Sequence, residues 1–352
     1  MRNHQAYTFT RYLRAKKSVD DRALNRQVWE ALSRLLPENS PENPLHVLEV
    51  GGGIGTMLER MLEWGLLRHA DYTLIDNQAE NIAQARRRLA ALPGIHGLTP
   101  GKTQKLLTSR KPHKKRVFLS EAKDLDSSVA PLPQNDRSIK DRFLTKDEAR
   151  IMVRLQVRDI LEMIPLRPGE RPCDLLVAHA FLDLVDLPST LPGILSLLKP
   201  GGLFYFTLNF DGLTLFEPPI DPALDELIQR LYHRSMDERL VGGLPSGDSR
   251  SGRHLFAHLK RCGAQVLAAG ASDWIVFPQA GAYPEDEAYF LHFILHTVHA
   301  ALAGHPELEP SAFTDWVRRR HAQVERGELV YIAHQIDFAG RALPTPHLGA
   351  VE

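Results

Sequence analysis

Cysteine is scarce in this chain: Cys173 and Cys262 are the only two among 352 residues. Two thiols cannot build a disulfide framework, so the fold must close on its own core, and the count suits a reducing compartment. An excess of charge of one sign is missing too. Basic and acidic residues number 43 each, a formal net charge of zero, so nothing global marks a nucleic-acid or membrane surface. No apolar run is long enough to span a bilayer, and Met1 to Thr10 lacks the apolar centre of a secretory signal. These absences lead us to expect a soluble cytoplasmic protein, monomeric or homodimeric, without a membrane partner. An apolar content of 43% is enough to bury one large α/β domain with insertions.

Hydrophobic periodicity organises the chain. Tyr7 to Leu36 reads as helical, with Leu13, Leu24, Val28, Leu32 and Leu35 as buried positions, and Pro37, Pro41 and Pro44 then break it. Strand His46–Val50, helix Thr56–Leu67, strand Tyr72–Ile75 and helix Gln78–Leu89 follow, an alternation that implies a parallel sheet with crossover helices. Pro93 to Arg150 breaks the rhythm with thirteen Lys and Arg against seven Asp and Glu. It reads as a basic, partly disordered insertion, with Val117–Leu119 as a strand fragment. Strands resume at Ile151–Val157, Cys173–Ala178 and Leu203–Asn209, with helix Ser189–Leu198 before the last of these. A second insertion, 211–250, contains a helix from Pro222 to Arg239. Helix Ser251–Cys262, a strand within Gln265–Phe277, helices Glu285–Leu302 and Ser311–Arg326 and a final strand Leu329–Phe338 complete the chain. The expected division is a helical cap (1–44), the main domain (45–340) and a tail (341–352).

The most informative segment is Leu48-Glu49-Val50-Gly51-Gly52-Gly53-Ile54-Gly55. A strand runs straight into glycines and then into a helix, so the backbone can turn sharply and approach a ligand. A dinucleotide site would use G-x-G-x-x-G here. Position 56 is Thr, so its third glycine is missing, and Glu49 would face a diphosphate with like charge. A cationic ligand suits that acid better.

These residues resemble the E/D-x-G-x-G-x-G motif of the class I S-adenosylmethionine (SAM)-dependent methyltransferases, and the resemblance extends from about Leu45 to Phe338. It implies a Rossmann-like three-layer α/β sandwich with a mostly parallel seven-stranded sheet of order 3-2-1-4-5-7-6, its last strand antiparallel. It also implies SAM as cofactor. Glu49, Gly51, Gly53 and Gly55 would lie along its methionine part. Asp76, with Asn77 beside it, would take the ribose hydroxyls, as a carboxylate can. Asp159 and Ile160 would meet the adenine. Lys199-Pro200-Gly201-Gly202 resembles the structural turn before the fifth strand of that family.

In such folds the ligand lies beyond the carboxyl ends of the strands. His179, ending the fourth, is the candidate general base, with packing against the cofactor as its other role. Tyr12 and Lys16 are candidate lid residues. Tyr232, Arg250 and Arg253, in or beside the second insertion, are candidate acceptor contacts. Cys173 opens its strand instead of closing it, so we expect a buried thiol and no nucleophile. His292, His296 and His299 share a helix face without an acid or thiol to complete a metal set, and no metal is expected. The favoured reading is methyl transfer to a small-molecule oxygen or nitrogen. The alternatives are an RNA methyltransferase using the basic insertion, a non-catalytic SAM-binding or partner-binding subunit, and, last, an NAD-dependent dehydrogenase.

Overall fold

The run Leu-His-Val-Leu-Glu-Val, with apolar residues on both faces, belongs at the centre of a sheet, and there the computed structural model places it: strand β1 (Leu45–Val50) pairs in parallel with β2 (His69–Asp76) on one side and β5 (Cys173–His179) on the other. The structure describes residues 7–100, 149–166 and 169–343. Beyond β2 come β4 (Arg150–Val157) and β3 (Ile95–Pro100), both parallel. Beyond β5 come β6 (Leu198–Glu217), parallel, and the antiparallel β11 (Val330–Ala342). Strands β9 (Ala264–Ala271) and β10 (Trp274–Val276) both pair with β11.

This is the expected order with two changes. An extra edge strand, β3, lies beside β4. Its Ile-His-Gly-Leu-Thr-Pro sequence reads as loop, because glycine and proline weaken a strand, but an edge tolerates both. The single strand expected within Gln265–Phe277 is broken at Ser272–Asp273, where the Ser272 amide donates to the carbonyl of Gln335 and Asp273 bonds His334. Among the described residues the sheet therefore has nine strands. Strand β6 also runs on to Glu217 alongside β11, so 211–217 belongs to the sheet and not to the insertion. The remainder of that insertion forms α6 (Pro222–Asp237) and the small hairpin β7 (Leu240–Val241) and β8 (Leu244–Pro245).

One face of the sheet is covered by α1 (Phe9–Ala23), α2 (Arg26–Leu35), α3 (Thr56–Glu63), α4 (Ala79–Leu89), α6, α8 (Glu287–Leu302) and α9 (Pro310–Glu325). The other carries α5 (Leu187–Leu195) and α7 (Ser251–Arg261). The N-terminal helix is two helices: the chain turns at Leu24, and Asn25 caps α2 by accepting from the Val28 amide. Val19, Leu24, Val28 and Leu32 share one core with β1 and β2, so the N-terminal cap is packed into the main domain. The basic segment 101–148, with Val117–Leu119, and residues 344–352 of the tail lie outside the described residues. No described helix is long and apolar enough to cross a membrane.

Candidate active site

The glycine loop leaves β1 with Gly51, Gly53 and Gly55 at φ +62°, +53° and +82°, a region that strains any side chain. A Cβ on Gly51 would sit 2.4 Å from the Phe181 ring, and one on Gly53 would sit 3.2 Å from the Leu13 methyl. The loop is therefore a bare backbone cradle with two side chains resting on it, one from beyond β5 and one from α1. Asp76, at the carboxyl end of β2, ties the loop down. Its Oδ2 accepts from the Gly53 amide at 2.9 Å, and its Oδ1 from the Gln78 amide at 2.8 Å and Asn81 Nδ2 at 3.1 Å. The side chain is 8% exposed. Burial pushes its carboxyl up against the pull of these three donors. A carboxylate offers about four acceptor positions, which leaves room for a hydroxyl. Asn77 is exposed beside it.

Glu49 does not take the place expected of it. It is 1% exposed, Tyr72 Oη donates to it at 2.7 Å, and burial pushes its carboxyl up to about 8. It is a neutral acid beneath the loop at pH 7, so it offers no charge to a cation there. Asp159 caps a short 3-10 turn by accepting from the Leu161 amide at 2.9 Å, and Ile160 is buried below it.

The densest polar cluster was not foreseen. Its hub is Asp20, buried on α1. Oδ2 receives Lys16 Nζ at 2.7 Å, Arg60 at 3.3 Å and His179 Nε2 at 3.0 Å, and Oδ1 receives the Trp274 indole at 3.0 Å. Arg60, fully buried on α3, also bonds Asp21, Thr56 and the carbonyl of Lys17. His179 is thereby committed on both sides. Nε2 lies 3.0 Å from Asp20 Oδ2 and 3.2 Å from Arg60 Nη1, and Nδ1 lies 2.8 Å from Thr207 Oγ1. Burial lowers its pKa to about 4. Both ring nitrogens are engaged within the protein, and the role of general base does not fit this arrangement.

Of the acceptor candidates, Tyr12, Lys16 and Tyr232 are within electrostatic reach of Asp183. Arg253 is spent on Asp211, with Nε and Nη2 at 2.8 and 3.0 Å. Arg250 is exposed at the start of α7. Cys173 is buried with its thiol donating to Leu197, and burial pushes it up to about 12, so it is no nucleophile. His292 meets His321 on α9, and no group of three metal-ligating residues occurs among the described residues. Asp20, Arg60, Thr207 and Trp274 are contributed by four separate elements. The one local trace of the cluster was the four-residue spacing of Lys16 and Asp20, a helical ion pair.

SAM makes specific demands on such a site: a close backbone approach and an acceptor for a vicinal diol. The bare cradle and the spare capacity of Asp76 meet both. Leu13 and Phe181 stand over the cradle as side chains, not backbone, so rotamer changes with a small shift of α1 would clear it.

Residues 21–240 match the family model described as a methyltransferase domain. No curated protein sequence matches the chain. Among solved structures, the chain is similar to a SAM-dependent methyltransferase from Thiobacillus denitrificans in complex with S-adenosyl-L-homocysteine, at 13% identity, TM-score 0.40, 93% of this chain and 97% of that one. It is also similar to the mycolic acid cyclopropane synthase CmaA1, complexed with the same product and CTAB, at 10% identity, TM-score 0.40, 90% of this chain and 82% of that one. A third is phosphoethanolamine N-methyltransferase 2 from Haemonchus contortus, at 13% identity and TM-score 0.39, covering 97% of this chain and 59% of that one. The family match takes in more than half of the chain, from the last turn of α1 to the start of β7. The chain belongs to the methyltransferase-domain family and has the class I, Rossmann-like fold of SAM-dependent methyltransferases.

Proposed function

We propose that the chain transfers the methyl group of SAM to an oxygen or nitrogen of a small molecule. The observation that carries this reading is the enclosure of the strand ends. Helix α1 lies over the glycine loop, with Leu13 on Gly53 and the Asp20 cluster tying it to β5, α3 and β10. A site roofed in this way suits a small acceptor better than a polymer.

SAM supplies an electrophilic methyl on a sulfonium; the protein supplies position and exclusion of water. Gly51, Gly53 and Gly55 would carry the methionine part, Asp76 the ribose hydroxyls, and Ile160 with Asp159 the adenine. Arg60 and Lys16, held by Asp20, would supply positive charge toward the amino-acid end. Tyr12 and Tyr232 would line the acceptor side.

Isothermal titration with SAM and NAD in parallel tests this reading. Micromolar binding of SAM without binding of NAD is expected. Binding of NAD, or of neither, would overturn it. Deleting residues before Val28 should weaken SAM binding, and unchanged affinity would remove α1 from the site. The reading as a non-catalytic subunit looked for exposed apolar surface on α8, but Phe290, Leu291, Leu295, Val298 and Leu302 are buried there. An RNA acceptor would depend on the basic segment, and filter binding of tRNA at low and moderate salt distinguishes it.

A further inference from the structure

Asp183 was not among the candidate site residues, yet it has an unmet need. It lies on the 3-10 turn Leu182–Leu184, four residues beyond His179 and directly after the carboxyl end of β5. Its Oδ1 is fully buried and has no hydrogen-bond partner among the described residues. Buried polar atoms are nearly always paired, so an unpaired one calls for an explanation, a catalytic role among them. An ordinary structural role would show a partner. Among the described residues Asp183 caps no helix and forms no ion pair within 4.0 Å, whereas Asp186 three residues on caps α5 and Asp248 bonds His254.

Charged and titratable groups from several segments act on it, while β6 and α7 also pack against its turn. Lys16 and Tyr12 come from α1, Tyr232 from α6, Arg239 from the turn after α6, and Asp248 from the segment before α7. Arg239 Nη2 and the Asp248 amide both bond the Asp183 backbone carbonyl, at 3.1 and 3.4 Å. The turn is thus held from behind, and while the residue's own amide bonds its carboxyl, Oδ1 is left without a partner among the described residues. His179, the more obvious base, has both nitrogens engaged.

We propose that Asp183 is the general base of the methyl transfer, receiving the proton of an acceptor O–H or N–H at Oδ1. The inference rests on the reading of the site as a SAM-dependent one. The acceptor lone pair forms the new bond to the methyl carbon. The carbon–sulfur bond breaks with its electron pair left on sulfur, and the acceptor proton passes to Asp183. The acceptor class is a small alcohol, phenol or amine. Burial pushes the carboxyl up to about 6, so Asp183 is an anion at neutral pH and still a useful base.

The test uses the full chain, its Asp183→Asn and Asp183→Glu variants, tritiated SAM and a deproteinised small-molecule extract as acceptor pool. SAM affinity is measured beside label transfer. We expect Asp183→Asn to bind SAM as the wild type does and to lose about 10²–10⁴-fold in transfer rate, with Asp183→Glu recovering part of it. The wild-type rate should fall as pH drops through about 6, and the residual Asn rate should not. Equal transfer by wild type and Asp183→Asn, an unchanged pH profile, or SAM binding without any wild-type product would overturn the role of Asp183. Failure of the wild type to bind SAM would instead overturn the methyl-transfer reading beneath it.

Discussion

Replacing Asp20 by Asn removes one negative charge from the centre of the cluster that seats α1. The carboxylate holds Lys16 and Arg60, which are 5% and 0% exposed, and two neutral donors, His179 and Trp274. His179 and Trp274 bond opposite oxygens, so the single amide oxygen can keep one of them while the NH2 group faces the other, and the variant loses an acceptor as well as the charge. Breaking a buried ion pair by removing one partner costs about 3–5 kcal/mol. Arg60 retains Asp21, which argues for the low end, about 3 kcal/mol. Total stabilities are about 5–15 kcal/mol, so the variant should fold and unfold at lower denaturant. Urea titration at pH 7 should show a lower midpoint with an unchanged slope. Acid should shrink the difference. Burial raises the Asp20 carboxyl, but Lys16, His179 and Arg60 outweigh it and hold the group well below the ordinary carboxylate range. Its contribution is therefore complete above about pH 4 and is lost as pH falls through the depressed folded value. A loss under about 1 kcal/mol at pH 7 would mean that Lys16 and Arg60 are hydrated and that α1 is not seated by this cluster.

Glu49→Gln should leave SAM affinity unchanged and make the protein relatively more stable at pH 8. The folded carboxyl is raised to about 8, so the wild type loses stability as pH climbs from about 4.5 to that value; reduced stability of the Gln variant at pH 8 would contradict this. Asp76→Asn should weaken SAM binding about 10–100-fold by titration calorimetry, the worth of a charged hydrogen bond to the ligand. Gly53→Val puts a branched side chain at φ +53° against Leu13; we expect a loss of at least about 1–3 kcal/mol in denaturant titration, and no loss would mean that the loop is mobile. Asp225→Ala strips the buried Arg320 and the Trp316 indole of their acceptor between α6 and α9, for about 3–5 kcal/mol by the same assay.

What the sequence made legible was local. The glycine loop lies in eight consecutive residues, and Asp76 closes the next strand, so periodicity and turn chemistry were enough to place both. The Asp20 cluster could not be read in that way. Trp274 lies 254 positions from Asp20 and His179 lies 159 away, and nothing short of the folded sheet brings β5, β10 and α1 together. Misplaced boundaries have similar origins. Asn25 carries the N-cap signal that splits the first helix, but the leucines on either side keep helical spacing through it. Strand β6 looked finished at Asn209, yet its pairing with β11 carries it to Glu217 across the irregularity where Leu208 turns to φ +54° and Asp337 accepts its amide at 2.7 Å. The chemistry of Glu49 and His179 was not legible either, because burial and the partners Tyr72, Asp20 and Thr207 set it and no motif records them.

The choice between a diphosphate and a nucleoside–amino-acid ligand turns on the loop amides. A diphosphate at the start of a helix is held by free backbone N–H groups. In this loop the Gly52 amide donates to the carbonyl of Ile75, that of Gly53 to Asp76, and that of Gly55 to the carbonyl of Gly52. Three donors a phosphate would use are already taken, one of them by a carboxylate that would repel it. A ligand that meets the loop by close contact, and hands a diol to Asp76, asks for none of them. The missing glycine at Thr56 and the committed amides therefore disfavour a dinucleotide for independent reasons, one from the spacing of the motif and one from the hydrogen bonds that spacing produces.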